Sequence, residues 1–123
     1  PISTKKWPVK WVMKPDCAEK DGLIEVQGFG RDRLLKIKDR KRDALNEWQW
    51  DCHELDDCSL RFFVWDSFVH QWTIQPWPVV DEMLENPSVE AAYHDGPTYR
   101  ALHADQLTDW TWTTHEPPQR GTR

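Results

Sequence analysis

Glu47 to Gln75, written EWQWDCHELDDCSLRFFVWDSFVHQWTIQ, is the densest run of aromatic and β-branched residues in the chain. Three strands can be read from it. Over Glu47 to His53 the apolar Trp48, Trp50 and Cys52 alternate with Glu47, Gln49, Asp51 and His53, the period-two signature of a half-buried strand. Leu60 to Trp65 is apolar on both faces apart from Arg61, as expected of a strand covered on both sides. Phe68 to Gln75 alternates again, with Phe68, Trp72 and Ile74 on one face and Val69, Gln71, Thr73 and Gln75 on the other. His70 is the polar exception on the apolar face.

Upstream, Trp7, Val9, Trp11 and Met13 alternate with Pro8, Lys10, Val12 and Lys14, which predicts a first strand with tryptophan inside. Pro8 has no amide proton and belongs at an edge. Asp16 to Gly22 reads as a polar loop closing on the turn dipeptide Asp21-Gly22. Leu23 to Phe29 then predicts a second strand, with Ile24 and Val26 facing opposite to Glu25 and Gln27. Gly28-Phe29-Gly30 lacks the third glycine and the following apolar-periodic helix of a dinucleotide fingerprint, so it is read as a bulge or bend.

Arg31 to Arg42 holds seven basic residues against two acidic ones. Leu35 and Ile37 alternate with Lys36 and Lys38, which predicts a strand with a basic outer face leading into a charged turn at Asp39 to Arg42. Such a ribbon could track phosphates. Against nucleic acid stand the acidic balance of the whole chain and the lack of any aromatic residue within the run to stack on bases. Lysine on an exposed strand also guards against edge-to-edge pairing.

Downstream, Pro76-Trp77-Pro78 breaks the sheet. Val79 to Glu85 reads as a short helix with Pro78 at its first position and Asp81 and Glu82 in its opening turn. Asn86-Pro87 ends it, and Ser88 caps a second helical turn through Val89, Ala92 and Tyr93, stopped by Asp95-Gly96. Thr98 to His103 reads as a strand with Tyr99, Ala101 and His103 on one face. Ala104 to Thr108 is a turn, and Asp109 to His115 a last strand with Trp110 and Trp112 on one side. The run Asp105 to Trp110, DQLTDW, resembles the end of a family of small phage-borne domains that counteract bacterial defence by sequestering a nucleotide signal. It is one residue short in its spacing and comes without the family's opening pattern, and no functional residue is carried over from it.

The 123 residues predict one globular domain over 1–115 and a disordered tail over 116–123, EPPQRGTR, which has nothing to bury. Hydrophobic residues make up 38%, but nine of them are tryptophan, so the core is expected to be built from few, large pieces. The odd count of Cys17, Cys52 and Cys58 fits a reducing compartment better than a disulfide scaffold, and a cytoplasmic location is expected. No stretch approaches the roughly 18 apolar residues of a membrane span, and the opening PISTKKWPVK, with no continuous apolar region, is not expected to act as a secretory signal.

The net charge of −5 conceals an asymmetry: residues 1–42 carry twelve of the 16 Lys and Arg against six of the 21 Asp and Glu, a net of +6, and the rest carry −11. This favours a charged partner, a basic protein on the acidic C-terminal two thirds, or head-to-tail association into a homo-oligomer. Interleaving of the two charge sets across paired strands is the alternative.

Cys52, His53 and Cys58 lack the close pair and the fourth ligand of a zinc site, so no metal and no cofactor is expected. Ser67 has no glycine-flanked elbow, and no nucleophile with an adjacent base is evident. The aromatic residues give the best site. If Trp48, Trp50, Trp72, Trp110 and Trp112 share an inner face, then His70, Tyr99 and His103 bring polar groups into an apolar concavity, the makeup of a small-molecule site whose indole walls also favour cations. The alternative is that these rings simply fill the core.

The sequence thus predicts an α+β domain: a curved antiparallel sheet of about six to eight strands, with one or two short helices between Pro78 and Tyr93 on one side, or else an open barrel. It predicts a non-catalytic protein binding a small aromatic or cationic ligand, with an acidic inhibitor or immunity-type module as the alternative and a small enzyme using His70 or His103 as base as a third.

Overall fold

The computed structural model describes residues 17–19, 22–54 and 59–114. The strand expected over Trp7 to Lys14 and the tail over 116–123 lie outside the described residues, as do Asp16, Asp21 and Cys58. The elements run β1 (Cys17–Glu19), β2 (Gly22–Gly28), β3 (Leu34–Lys38), α1 (Asp39–Glu54), β4 (Ser59–Asp66), β5 (Gln71–Pro76), α2 (Trp77–Met83), β6 (Val89–Ala92), β7 (Thr98–His103), a 3-10 turn (Ala104–Leu107) and β8 (Thr113–Thr114).

The fold is α+β, with two helices and two sheets rather than one sheet of six to eight strands. One sheet has the order β1-β2-β4-β5-β8, the other β3-β7-β6, and neither closes into a barrel. Pairing is antiparallel except between β2 and β4, which run parallel from Gly22↔Ser59 to Gly28↔Trp65. That exception follows from the connection between them, which passes through β3 and the sixteen-residue α1 and so returns the chain in the same direction. Gly22, read as a turn residue, instead opens β2. A Cβ there would meet the Ser59 carbonyl oxygen at 2.1 Å, so only glycine lets β2 and β4 approach so closely.

The largest correction falls on Glu47 to His53, which is the second half of α1 and not a strand. Trp48, Trp50 and Cys52 alternate, but Leu45, Trp48 and Cys52 also sit at helical spacing, and this set packs inward. Trp50 is left on the opposite side, 65% exposed. The preceding residues, RKRDALNEWQ, are mostly good helix formers, with Asp39 in the first turn against the helix dipole. The expected charged turn at Asp39 to Arg42 is that first turn. Ser88 to Tyr93 is corrected in the other direction. Val89–Ala92 is an edge strand paired with β7, because the ladder satisfies backbone groups that one isolated helical turn would leave open.

The core lies between the sheets. Leu60, Phe62 and Val64 of β4 face Leu35 and Ile37 of β3 and Leu102 of β7, with Leu45 and Cys52 of α1 and Trp77, Val80 and Leu84 around α2 closing the sides. Trp77 is fully buried, stacked on Phe62 at 5.6 Å, and its Nε1 donates to Asn46 Oδ1 at 2.7 Å, so the indole carries no unmet polar group into the interior. Arg42 ties the two helices together, donating to Asp81 Oδ1 at 2.6 Å and Glu85 Oε1 at 2.8 Å.

Strand register reverses two side-chain assignments. On β2, Glu25 pairs with Phe62 and shares its core-facing side, while Val26 turns outward at 43% exposure, the opposite of the orientation expected from apolarity. On β5, Thr73 is buried toward the core, opposite Val64, whereas Trp72 pairs with Trp65 on the outer face and stacks on Phe63 at 5.6 Å.

Candidate functional site

Where β4 and β7 end and β5 begins, a cleft of about 500 Å³ opens, lined from both sheets by Arg33, Asp66, Gln71 and Ala104. Its floor is an ion pair. Arg33 precedes β3, where a tight turn (Arg33 N–H to Gly30 carbonyl, 2.9 Å) reverses the chain after β2 and puts Arg33 in the left-handed region at φ 64°. A non-glycine residue held there is strained, and it is pinned by two contacts: Arg33's carbonyl accepts from the Ala104 amide at 3.0 Å, and its Nη1 donates to Asp66 Oδ1 at 2.5 Å.

Asp66 closes β4 on the buried side of the strand, with its side chain 5% exposed against 30% for Arg33. The same oxygen accepts the Phe68 amide at 3.1 Å, which shapes the turn into β5. The guanidinium lies 5.4 Å from the centres of both the Phe29 and Phe68 rings. The hydrogen bond to Asp66 holds Arg33 above its ordinary pKa, against desolvation and with help from the Asp66 and Asp105 charges. It is a permanent cation and serves as no base.

The wall comes from the segment after the 3-10 turn. The Leu107 carbonyl accepts both the Trp110 amide at 3.1 Å and the Trp112 Nε1 at 2.8 Å, and the Thr111 carbonyl accepts Thr73 Oγ1 at 2.8 Å. These bonds hold the two indoles 6.3 Å apart along the cleft, with Trp112 6.2 Å from Phe29. Gln71, Thr108 and Asp105 add polar groups at the rim.

Of the eight residues singled out from the sequence, the structure brings Trp110 and Trp112 together in the cleft. His70 sits in the β4–β5 turn between Val69 and Gln71 of the cleft lining, in the left-handed region at φ 53°. His103 borders the cleft at the end of β7, where its Nδ1 accepts the Asp105 amide at 3.0 Å and caps the 3-10 turn. Trp48 packs at the core on α1, Trp50 points to solvent, Trp72 lies on the far face of the larger sheet, and Tyr99 lies on the outer face of the smaller one.

Arg33 and Asp66 escaped the sequence reading, although a signal was present. Counting by twos from Leu60 through Phe62 and Val64 reaches Asp66, so the alternation itself puts a carboxylate on the buried face, and such a group requires a cation. Among the described residues no group of three or more His, Cys, Asp or Glu side chains is placed to hold a metal ion, and no helix is long and apolar enough to cross a membrane. No family model, no curated protein and no solved structure matches the chain.

Proposed function

We propose that this protein binds a small aromatic or cationic molecule in the cleft between the sheet ends, without converting it. The observation that carries this reading is the pairing of an indole wall, Trp110 and Trp112, with a polar floor already locked by its own ion pair. The cleft's charged lining is Arg33 against Asp66 and Asp105, a net of one negative charge, so a flat ligand with hydrogen-bond donors or a positive charge is complementary to it. A binding role fits better than catalysis because Arg33 and Asp66 hold each other rather than a reacting group.

The test is a tryptophan-fluorescence and thermal-shift titration against aromatic amines and quaternary ammonium compounds. A saturable change that Trp110→Ala abolishes and Trp50→Phe leaves intact is expected. Silence across the set, or a change that survives Trp110→Ala, overturns the reading.

A second reading rests on the outward side of α1. Asp43, Glu47 and Trp50 follow one another at i, i+4 and i+7 on its exposed face, an acidic setting around a large aromatic residue that suits a basic protein partner. Capture of basic proteins should then fall with salt and with Trp50→Ala. Capture unaffected by either removes this alternative.

A further inference from the structure

Two sequence features stand against nucleic acid: the chain's net charge of −5, which the fold leaves unchanged, and the lack of any aromatic residue within the basic run Arg31 to Arg42. The fold supplies two aromatic residues from elsewhere. On β3, Leu35 and Ile37 face the core, which sends Lys36 and Lys38 to the outer face of the three-stranded sheet. Register sets Lys38 beside Tyr99 of β7 and Tyr99 beside Ala91 of β6, and Tyr93 follows β6 directly. The two phenol rings lie 4.6 Å apart, tilted by 41°. Lys36 Nζ is 5.6 Å from the centre of Tyr99, and Lys38 Nζ is 5.5 Å from the centre of Tyr93.

Beside this pair is a groove of about 460 Å³ lined by Lys38, Arg40, Gly96, Pro97 and Thr98. Its lining holds two cations and no carboxylate. Two acids border this surface: Asp32, in the turn before β3, is paired with Lys36 at 2.9 Å, and the Asp39 carboxylate of α1 accepts the Thr98 hydroxyl, a bond that fixes its position but leaves its single charge against the two cations of the lining. The groove is shaped by the β6–β7 turn, where the Tyr93 carbonyl accepts the Gly96 amide at 2.9 Å and Gly96 takes φ 116°. Asp95 at the exposed tip of that turn is not part of the lining.

From this juxtaposition of tyrosine pair and cationic groove we infer that the outer face of the three-stranded sheet binds single-stranded nucleic acid. A phosphate enters the groove at Lys38 and Arg40, and a base stacks on Tyr93 or Tyr99. The ring faces now approached by lysine ammoniums are those a base would take, because base–aromatic stacking is worth more than an exposed cation–π contact; the Lys38 ammonium so released can meet a phosphate in the groove, while Lys36 stays paired with Asp32. A single strand is favoured over a duplex because only unpaired bases can offer a face to the rings. This surface is separate from the Arg33–Asp66 cleft, which lies at the other end of β3 and β7.

The test uses fluorescence anisotropy of the full chain with labelled twelve-nucleotide DNA and RNA single strands, the corresponding duplexes and free mononucleotides, about 50 mM salt upward. Single strands should bind, and affinity should fall as salt rises. Lys38→Gln with Arg40→Gln, both at exposed positions, should weaken binding about tenfold and reduce the salt slope by roughly one to two. Tyr93→Leu with Tyr99→Leu should also cost about tenfold, while the Tyr→Phe pair, which keeps both ring faces, should bind as the parent does. Absence of binding at low salt, preference for duplex, indifference to the Tyr→Leu pair in a folded variant, or mononucleotides competing as well as strands each overturns the proposal.

Discussion

Lys41 Nζ of α1 lies 2.8 Å from Glu25 Oε2 of β2, joining the helix to the middle of the larger sheet through a carboxylate whose residue is only 4% exposed. The pair explains how β2 can turn an acid toward the core and a valine toward solvent. Pairing with β4 fixes the register of β2 along its whole length, and a one-residue slip would reverse every side chain. Glu25 must therefore face α1, and a lysine one turn into that helix meets it.

Removing the cation should expose the cost of that burial. Lys41→Met is expected to lower stability by about 2–3 kcal/mol, because it takes a cation at 2.8 Å away from a desolvated carboxylate. Adding Glu25→Gln in the same chain should recover most of the loss. Urea denaturation at unchanged m-value measures both. A cost below about 1 kcal/mol for Lys41→Met would place the pair among ordinary surface bridges.

His70 holds φ 53° in the turn between β4 and β5 with its side chain exposed. A β-carbon in this region is crowded against its own carbonyl, and glycine is not. His70→Gly is expected to raise stability by about 0.5–1 kcal/mol, read as an upward shift in Tm. A fall in Tm would mean that the imidazole makes a contribution larger than the strain it carries.

The Asp32–Lys36 pair at the start of β3 gives a pH signature. The hydrogen bond from Lys36, with the Leu34 amide, lowers the Asp32 pKa from its ordinary 3.8, and the bond to Asp32 raises Lys36 from 10.5. A lowered carboxylate contributes stability that is present above the unfolded pKa and lost as pH falls through the folded one. A raised lysine contributes stability that is present below its unfolded pKa and lost as pH rises through the folded value. The Tm difference between the parent and Asp32→Asn should accordingly persist from about pH 5 to 9 and shrink at both extremes. A difference that stays constant down to about pH 2 would show that the two groups do not interact in solution.

Several strands were legible because their burial follows local pattern. Leu23 to Phe29, Leu35 with Ile37, Leu60 to Trp65 and Thr98 to His103 all lie in or along strands of the structure. The failure at Glu47 to His53 has a definite cause: Trp48 and Cys52 satisfy a period of two and a period of 3.6 equally well over so short a window, and the helical run before Trp48 decides the matter. Ser88 to Tyr93 failed because a short alanine-rich segment takes the structure of whatever neighbour offers it hydrogen bonds, here β7. Trp110 and Trp112 were expected on one side of a strand over Asp109 to His115, but among the described residues of that stretch only Thr113–Thr114 is a strand, and it is the Leu107 carbonyl that holds the two indoles together; Asp66 was hidden within an apolar run.

The amino-acid order by itself determined an α+β composition, the short helix after Pro76, and the alternation that turns Leu35 and Ile37 inward; which face of the doubly apolar run Leu60 to Trp65 meets them was decided by the structure, which chose Leu60, Phe62 and Val64. Each of the first three is set by neighbours within a few positions, where side-chain period and backbone chemistry act directly. Only the tertiary structure decided that the strands divide into two sheets, that Glu25 turns inward, that Arg33 meets Asp66, and that Tyr93 and Tyr99 come to lie on Lys36 and Lys38. Those relationships join residues distant along the chain. They arise from strand register and from the packing of α1 against strands of both sheets, which no local pattern encodes.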